Sequence, residues 1–149
     1  MASSGCEHTL VILKPDAVKR GLIGCILQRF EQRGFKIAAA KLMVATDELL
    51  EKHYHEHTSK SFYPGLARFM KSGPVMALVL QGTSVVSVTR AMMGQTNPAT
   101  SAPGTIRGDF AIETDSNVIH GSDSLKSAEY EIGLWFPELK KPETPHDFL

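Results

Sequence analysis

The segment Asn117-Val118-Ile119-His120-Gly121-Ser122-Asp123-Ser124 puts a histidine between the end of an apolar run and the start of a capped helix. A neutral imidazole is a competent nucleophile towards phosphorus when one ring nitrogen is free and an acceptor holds the other, fixing the tautomer. Gly121 is expected to leave room beside it for a bulky group. Ser124, Ser127 and Glu131 recur at three- and four-residue spacing, so a helix sets them near one polar stripe from which Glu131 can fold back towards His120. A structural histidine followed by a solvated helix face accounts for the same spacing, and the local pattern does not separate the two readings.

Phosphate chemistry also needs cations and directed donors. The chain has no P-loop signature and no GxGxxG after a strand. What remains is a scattered set: Lys14 at a strand end, Arg90 on a helix and Arg107 in a long loop, with Thr96 and Asn117 as further donors. Arginine suits the task because its planar fork donates two bonds at once. These residues form a site only if the loop folds over the histidine; otherwise they are surface charges.

Other patterns compete. His53 and His57 have the spacing that zinc ligands use on a helix, although the HExxH order is missing and a polar helix end explains them equally well. Phe62, Tyr63 and Leu66 are spaced to share a helix face, which suits core packing, while an aromatic near a helix start can also stack on a base. Arg107-Gly108-Asp109 spells an adhesion tripeptide, a match too short to carry weight.

The elements that must position these groups are readable in outline. Leu10 to Leu13 is an apolar run broken at Lys14-Pro15-Asp16, as expected of a strand buried on both faces. Leu22, Ile23, Ile26, Leu27 and Phe30 predict an amphipathic helix with Gly34 as its left-handed cap. Phe35 to Val44 reads as a second strand, Asp47 to Glu56 and Ser61 to Met70 as helices, and Val75 to Leu80 as a third strand. Thr83 or Ser84 is expected to cap a helix running to Met93, and Val118 to His120 reads as a fourth strand. Ser122 is expected to cap a last helix with Leu125, Ala128 and Ile132 on its apolar face and Gly133 at its end. Residues 94 to 116 form a long loop that should be functional or stapled down. The element order predicts an α+β fold: a ferredoxin-like split βαβ with a four-stranded antiparallel sheet covered by helices.

Length and composition bound the rest. The 149 residues, 42% of them hydrophobic, suit one domain, with residues 1 to 7 as a flexible N-terminus and 137 to 149 as an extended tail containing Pro142 and Pro145. Sixteen basic residues against sixteen acidic ones leave no bulk field to draw the protein onto nucleic acid or an anionic membrane. Two cysteines, Cys6 and Cys25, in no metal-type spacing, and no leader or apolar span predict a reducing, cytoplasmic setting.

Taken together, Lys14-Pro15-Asp16, Arg29-Phe30-Glu31, Gly94-Gln95-Thr96-Asn97-Pro98, the stretch Pro103-Gly104-Thr105-Ile106-Arg107-Gly108-Asp109-Phe110, the His120 segment and Glu131-Ile132-Gly133-Leu134-Trp135-Phe136 resemble the nucleoside diphosphate kinase family. The likeness runs in order from about His8 to Phe136. It implies a ping-pong reaction in which a nucleoside triphosphate phosphorylates His120 and a nucleoside diphosphate collects the group. It further implies that Lys14 and Asn117 hold the sugar 3′-hydroxyl and that Arg90, Thr96 and Arg107 hold the phosphates. Phe62, with Leu66 and Thr114, would meet the base, and Tyr54 would lie near the transferred group. Glu131 would orient His120 with help from Ser122. Mg2+ would bridge the substrate phosphates, with Asp123 as the one side chain placed to reach it through water. A homo-oligomer, a hexamer for preference, is implied because loops around Pro98 from neighbouring subunits meet in this family.

The sequence departs from the family pattern at Thr114, which replaces an apolar residue, and at Lys60-Ser61-Phe62-Tyr63, which replaces Arg-Pro-Phe-Phe. The tail after Phe136 also differs. The rivals from other classes are a ferredoxin-like module that binds nucleotides or single-stranded nucleic acid without chemistry, since that sheet also serves RNA recognition, and an idle scaffold. Balanced charge and the lack of a central aromatic pair on the strands speak against the former.

Overall fold

The structure, a computed structural model, describes residues 6–139. The tail from Lys140, with Pro142 and Pro145, lies outside the described residues, as do residues 1–5. Cys6 and Glu7, expected in a flexible N-terminus, instead extend the first strand, and Glu138 of the expected tail pairs with Lys41 at 2.7 Å.

Four strands, β1 (Cys6–Leu13), β2 (Lys36–Met43), β3 (Val75–Thr83) and β4 (Ile119–Gly121), form one sheet in the order β2-β3-β1-β4. Every pairing is antiparallel, and His120 lies opposite Ile12 at the edge of the sheet. Among the described residues seven helices cover it: α1 (Pro15–Lys19), α2 (Ile23–Arg33), α3 (Asp47–His53), α4 (Tyr63–Met70), α5 (Val85–Met93), α6 (Ile106–Phe110) and α7 (Leu125–Trp135). This is the ferredoxin-like arrangement that the element order predicts.

The period-two alternation of β1 splits the core into two layers. Val11 and Leu13 pack with Ile26 and Phe30 of α2, with Val85 and Met93 of α5 and with Ile106 of α6. Leu10 and Ile12 face the other way, towards Leu50 of α3, Met70 of α4 and Trp135 of α7. The last four residues of β1, Leu10 to Leu13, are fully buried, as a strand segment covered on both faces requires. The part of β1 from Leu10 to Leu13 therefore offers no open face to a single-stranded nucleic acid, while the edge strand β2 has no buried residue.

Several helix ends differ from the sequence reading. Gly34 caps α2 in the left-handed region at φ 105°, and the Thr46 hydroxyl accepts from Leu49 N, both as expected. Helix α3 stops at His53 rather than Glu56, and residues 54–59 are turns. Ser84 precedes α5 but makes no side-chain cap, because it sits at φ 54°. Ser124, not Ser122, caps α7, accepting from Ser127 N, and Gly133 lies inside that helix. Leu125, expected on the apolar face, is exposed; Ala128, Glu131 and Trp135 are the residues α7 buries. Residues 94–116 are less irregular than expected, since they contain α6 and short 3-10 turns at Pro98–Thr100 and Thr114–Ser116.

Candidate active site

His120 comes to the sheet edge through a strained turn. Val118 has φ 63°, a region that β-branched residues avoid, and Ile119 N donates to Asn117 O at 2.8 Å across it, which makes a γ-turn. Neighbours enforce the turn: Val118 N donates to Asp16 Oδ2 at 3.2 Å, and Lys14 N donates to Val118 O at 2.8 Å. Backbone strain of this kind, about 1 to 3 kcal/mol, persists only where the surroundings over-determine it. Asp16 thus acts on the site through the backbone, a role its place in the Lys14-Pro15-Asp16 break does not announce.

On the α7 side His120 Nε2 and Glu131 Oε1 are 2.8 Å apart, and Ser122 Oγ donates to the same oxygen at 2.8 Å. Glu131 is buried and Ser122 fully so. The expected fold-back of Glu131 therefore occurs, and Ser122 serves the carboxylate rather than the helix end. Gly121 does not make room next to His120. A Cβ there would point to the opposite face and meet Met93 Sδ at 2.5 Å, so the glycine makes room for the core.

On the loop side the scattered donors converge. Arg107, with 4% of its surface exposed, donates to three backbone carbonyls: Ile119 O at 2.7 Å, Gly94 O at 3.3 Å and Asn117 O at 3.4 Å. An arginine held so deeply cannot serve an adhesion tripeptide. Lys14 Nζ donates to Asn117 Oδ1 at 2.7 Å, and Asn117 Nδ2 donates to Thr96 O at 3.1 Å. Arg90, which is exposed, donates to Gly121 O at 3.2 Å. Burial first and the Arg107 charge second push the Lys14 ammonium down to about 8. Burial and Arg90 push Arg107 down to about 10. Cations crowded against their own kind leave a surplus of positive charge that an anion would relieve.

The loop that carries Arg107 is stapled from outside. Arg29 of α2 pairs with Asp109 at 2.7 Å, donates to Gly104 O at 3.3 Å and lies 4.7 Å above the Phe110 ring, while Arg20 donates to Phe110 O at 2.7 Å.

A third group of residues lines the α3 end. Tyr54 meets the His53 ring edge to face at 4.6 Å, and burial, then Glu131, raise its hydroxyl above the usual tyrosine range. Phe62 stands 54% exposed immediately before α4 rather than packed in the core, with Lys60 Nζ 5.8 Å from its ring centroid. Leu66 is half-buried against the second core layer, and Thr114 is exposed in its short turn.

The His53–His57 metal pair does not form. His57 lies beyond the end of α3 against Phe62, whereas His53 Nδ1 accepts from Trp135 Nε1 at 3.0 Å. His53, His120 and Glu131 do bring three ligand atoms within 4.8 Å of one another. Two of the atoms in this cluster are already bonded within the protein, His53 Nδ1 to Trp135 and His120 Nε2 to Glu131.

The comparisons with known proteins agree with this geometry. The family model described as nucleoside diphosphate kinase matches residues 7–140. The chain is 55% identical to nucleoside diphosphate kinase B of Bos taurus, over 92% of this chain and 88% of that one. It is 57% identical to the nucleoside diphosphate kinase of a Thermoanaerobacter species, over 89% of this chain and 98% of that one. The crystal structure of the Encephalitozoon cuniculi enzyme superposes with a TM-score of 0.88 at 43% identity, covering 95% of this chain and 96% of the other. By family model, sequence and fold alike, the chain belongs to the nucleoside diphosphate kinase family and is a phosphotransferase that passes a terminal phosphoryl group between nucleotides.

Proposed function

We propose that His120 is the phosphoryl carrier and that Nδ1 is its attacking atom. The observation that carries this is the 2.8 Å contact between Nε2 and Glu131, a carboxylate that can only accept: it keeps the proton on Nε2 and leaves the Nδ1 lone pair free. That lone pair forms the N–P bond as the bond from the γ-phosphorus to the bridging oxygen breaks, and the nucleoside diphosphate leaves with the electron pair. In the second half-reaction a β-phosphate oxygen of another diphosphate attacks, the N–P bond breaks and its electrons return to Nδ1. No net proton transfer is needed, so the protein's part is positioning and electrostatic stabilisation.

Arg90, Arg107 and Thr96 take the phosphates in this reading, supported by the convergence of the two arginines on the carbonyls flanking His120. Lys14 and Asn117 take the 3′-hydroxyl, supported by their mutual 2.7 Å bond. Exposed Phe62 stacks on the base with Leu66 and Thr114 at its edges, and Tyr54 borders the transferred group beside Glu131. Family membership implies a divalent metal, which we assign as Mg2+. Asp123 is the carboxylate left for an ion that keeps its waters: it is exposed, and hydrogen bonds from Ser127 and Ser124 hold its pKa below the usual range. Mg2+ would offset phosphate charge during transfer.

We assign a homo-oligomer, a hexamer for preference, assembled through residues 94–116, on the support of Ile112, which is 86% exposed in that segment. Light scattering that finds a fully active monomer at micromolar concentration refutes it. Among the described residues no helix is long and apolar enough to cross a membrane, and a cytoplasmic address is our reading.

Incubation with γ-labelled ATP tests the central assignment. The parent should take up an acid-labile label, and His120→Ala should take up none and show no turnover while melting at nearly the same temperature. Label retained in His120→Ala would end the proposal.

A further inference from the structure

Glu131 fixes one nitrogen of His120, but one hydrogen bond does not fix a ring plane. The χ2 torsion of histidine is broad and roughly two-fold, so the imidazole can rock about its bond to Glu131. The structure places a second buried ring against it. His53 meets His120 edge to face, with centroids 4.7 Å apart and planes at 75°. His53 is itself held on two sides: Trp135 Nε1 donates to its Nδ1 at 3.0 Å, and the Tyr54 ring meets it edge to face at 4.6 Å. Tyr130, one residue before Glu131, donates to Lys52 O at 2.8 Å and so ties α7 to the end of α3 that presents His53.

Trp135 can only donate, so His53 Nδ1 is an acceptor and any proton on the ring sits on Nε2. Burial, then the neighbouring His120, hold its pKa down at about 2, so the ring is neutral throughout the working range. A neutral ring carries no charge that would draw the carboxylate of Glu131 or the phosphoryl group away from His120.

We propose that His53 is a positioning residue for the transfer: its ring, anchored by Trp135, is the wall that holds the His120 imidazole in the plane that aims Nδ1 at the incoming phosphorus. This rests on the reading of His120 as carrier. Glu131 sets the tautomer and His53 sets the tilt, and misalignment of a near-attack geometry is costly in rate even when binding is untouched.

Two substitutions separate this role from simple packing. His53→Gln keeps an acceptor for the Trp135 N–H but removes the ring; His53→Phe keeps a ring but leaves that N–H unpaired. In single-turnover phosphorylation by ATP, His53→Gln should reach the parent's stoichiometry of acid-labile label about 10- to 100-fold more slowly. Its KM should stay within about twofold of the parent. His53→Phe should recover most of the rate although it melts at the lower temperature. A merely structural role gives the opposite ranking, because the unpaired buried donor is then the larger defect. Parental rates in His53→Gln, or equal slowing in both variants, overturn the inference while leaving the carrier in place. A label in His120→Ala removes the carrier reading and this inference with it.

Discussion

The two regions that meet at His120 are built on different principles. On the α7 side, side chains bind side chains: Ser122 and His120 share one oxygen of Glu131, and Trp135 holds His53. On the loop side, the two arginines next to His120 bind backbone, Arg107 giving three donors to carbonyls and Arg90 one, beside the side-chain bond from Lys14 to Asn117. The first region is closed and needs nothing from a substrate. The second is satisfied by the chain but still carries excess positive charge, so under the proposed assignment a substrate completes it. Changes on the loop side should therefore alter substrate affinity and choice, and changes on the α7 side should alter turnover alone.

The sharpest test of the loop side is the substrate's own 3′-hydroxyl. Lys14 and Asn117 would be left facing a missing partner, and a site built to bind a hydroxyl rejects the analogue that lacks it by about four orders of magnitude at best. Specificity constants for guanosine, deoxyguanosine and dideoxyguanosine diphosphates as acceptors should be similar for the first two and far lower for the third. A dideoxy compound used as well as the others would remove Lys14 and Asn117 from their assigned role.

Arg107→Ala comes next. It removes a cation from the phosphates and unties three carbonyls, so kcat/KM should fall about 100- to 1000-fold and stability by about 2 to 4 kcal/mol. Arg90→Ala, exposed and bonded once, should lose activity while denaturant midpoints stay near the parent's. Equal destabilisation of the two would break the distinction between a buried anchoring arginine and an exposed, singly bonded one.

Glu131→Gln should have the smallest effect of the three, and one of a different kind. The amide still reaches His120 but no longer serves as a charged acceptor for both His120 and Ser122, so kcat should fall about 10- to 100-fold with KM nearly unchanged. A rise in KM comparable with the loss in kcat would mean that the α7 side also binds substrate.

The legibility of the two regions differed in the same way. Gly34 as a cap, Thr46 as an N-cap and the buried run Leu10 to Leu13 are local signals, because propensity and period act within a few residues. Ser122 satisfies the same local rule as the true cap, Ser124, two residues later, and only the packing of α7 decides that its hydroxyl donates to Glu131 instead. His53 was singled out for the wrong partner: its spacing to His57 is visible in the chain, whereas Trp135 is 82 residues away.

By itself the sequence determined the order of the four strands and of the longer helices between them but not α1 or α6, together with the histidine and Glu131 on the following helix and the motif set by which the family is identified. It could do so because each of these is a matter of residue type and short spacing. Only the tertiary structure decided that Lys14, Arg90, Arg107 and Asn117 share one site, that Asp16 holds the strained turn at Val118 and that His53 stands against His120. The Lys14–Asn117 and Asp16–Val118 contacts join segments 103 and 102 residues apart. Their geometry depends on how the two core layers pack around β1, and no spacing along the chain encodes that.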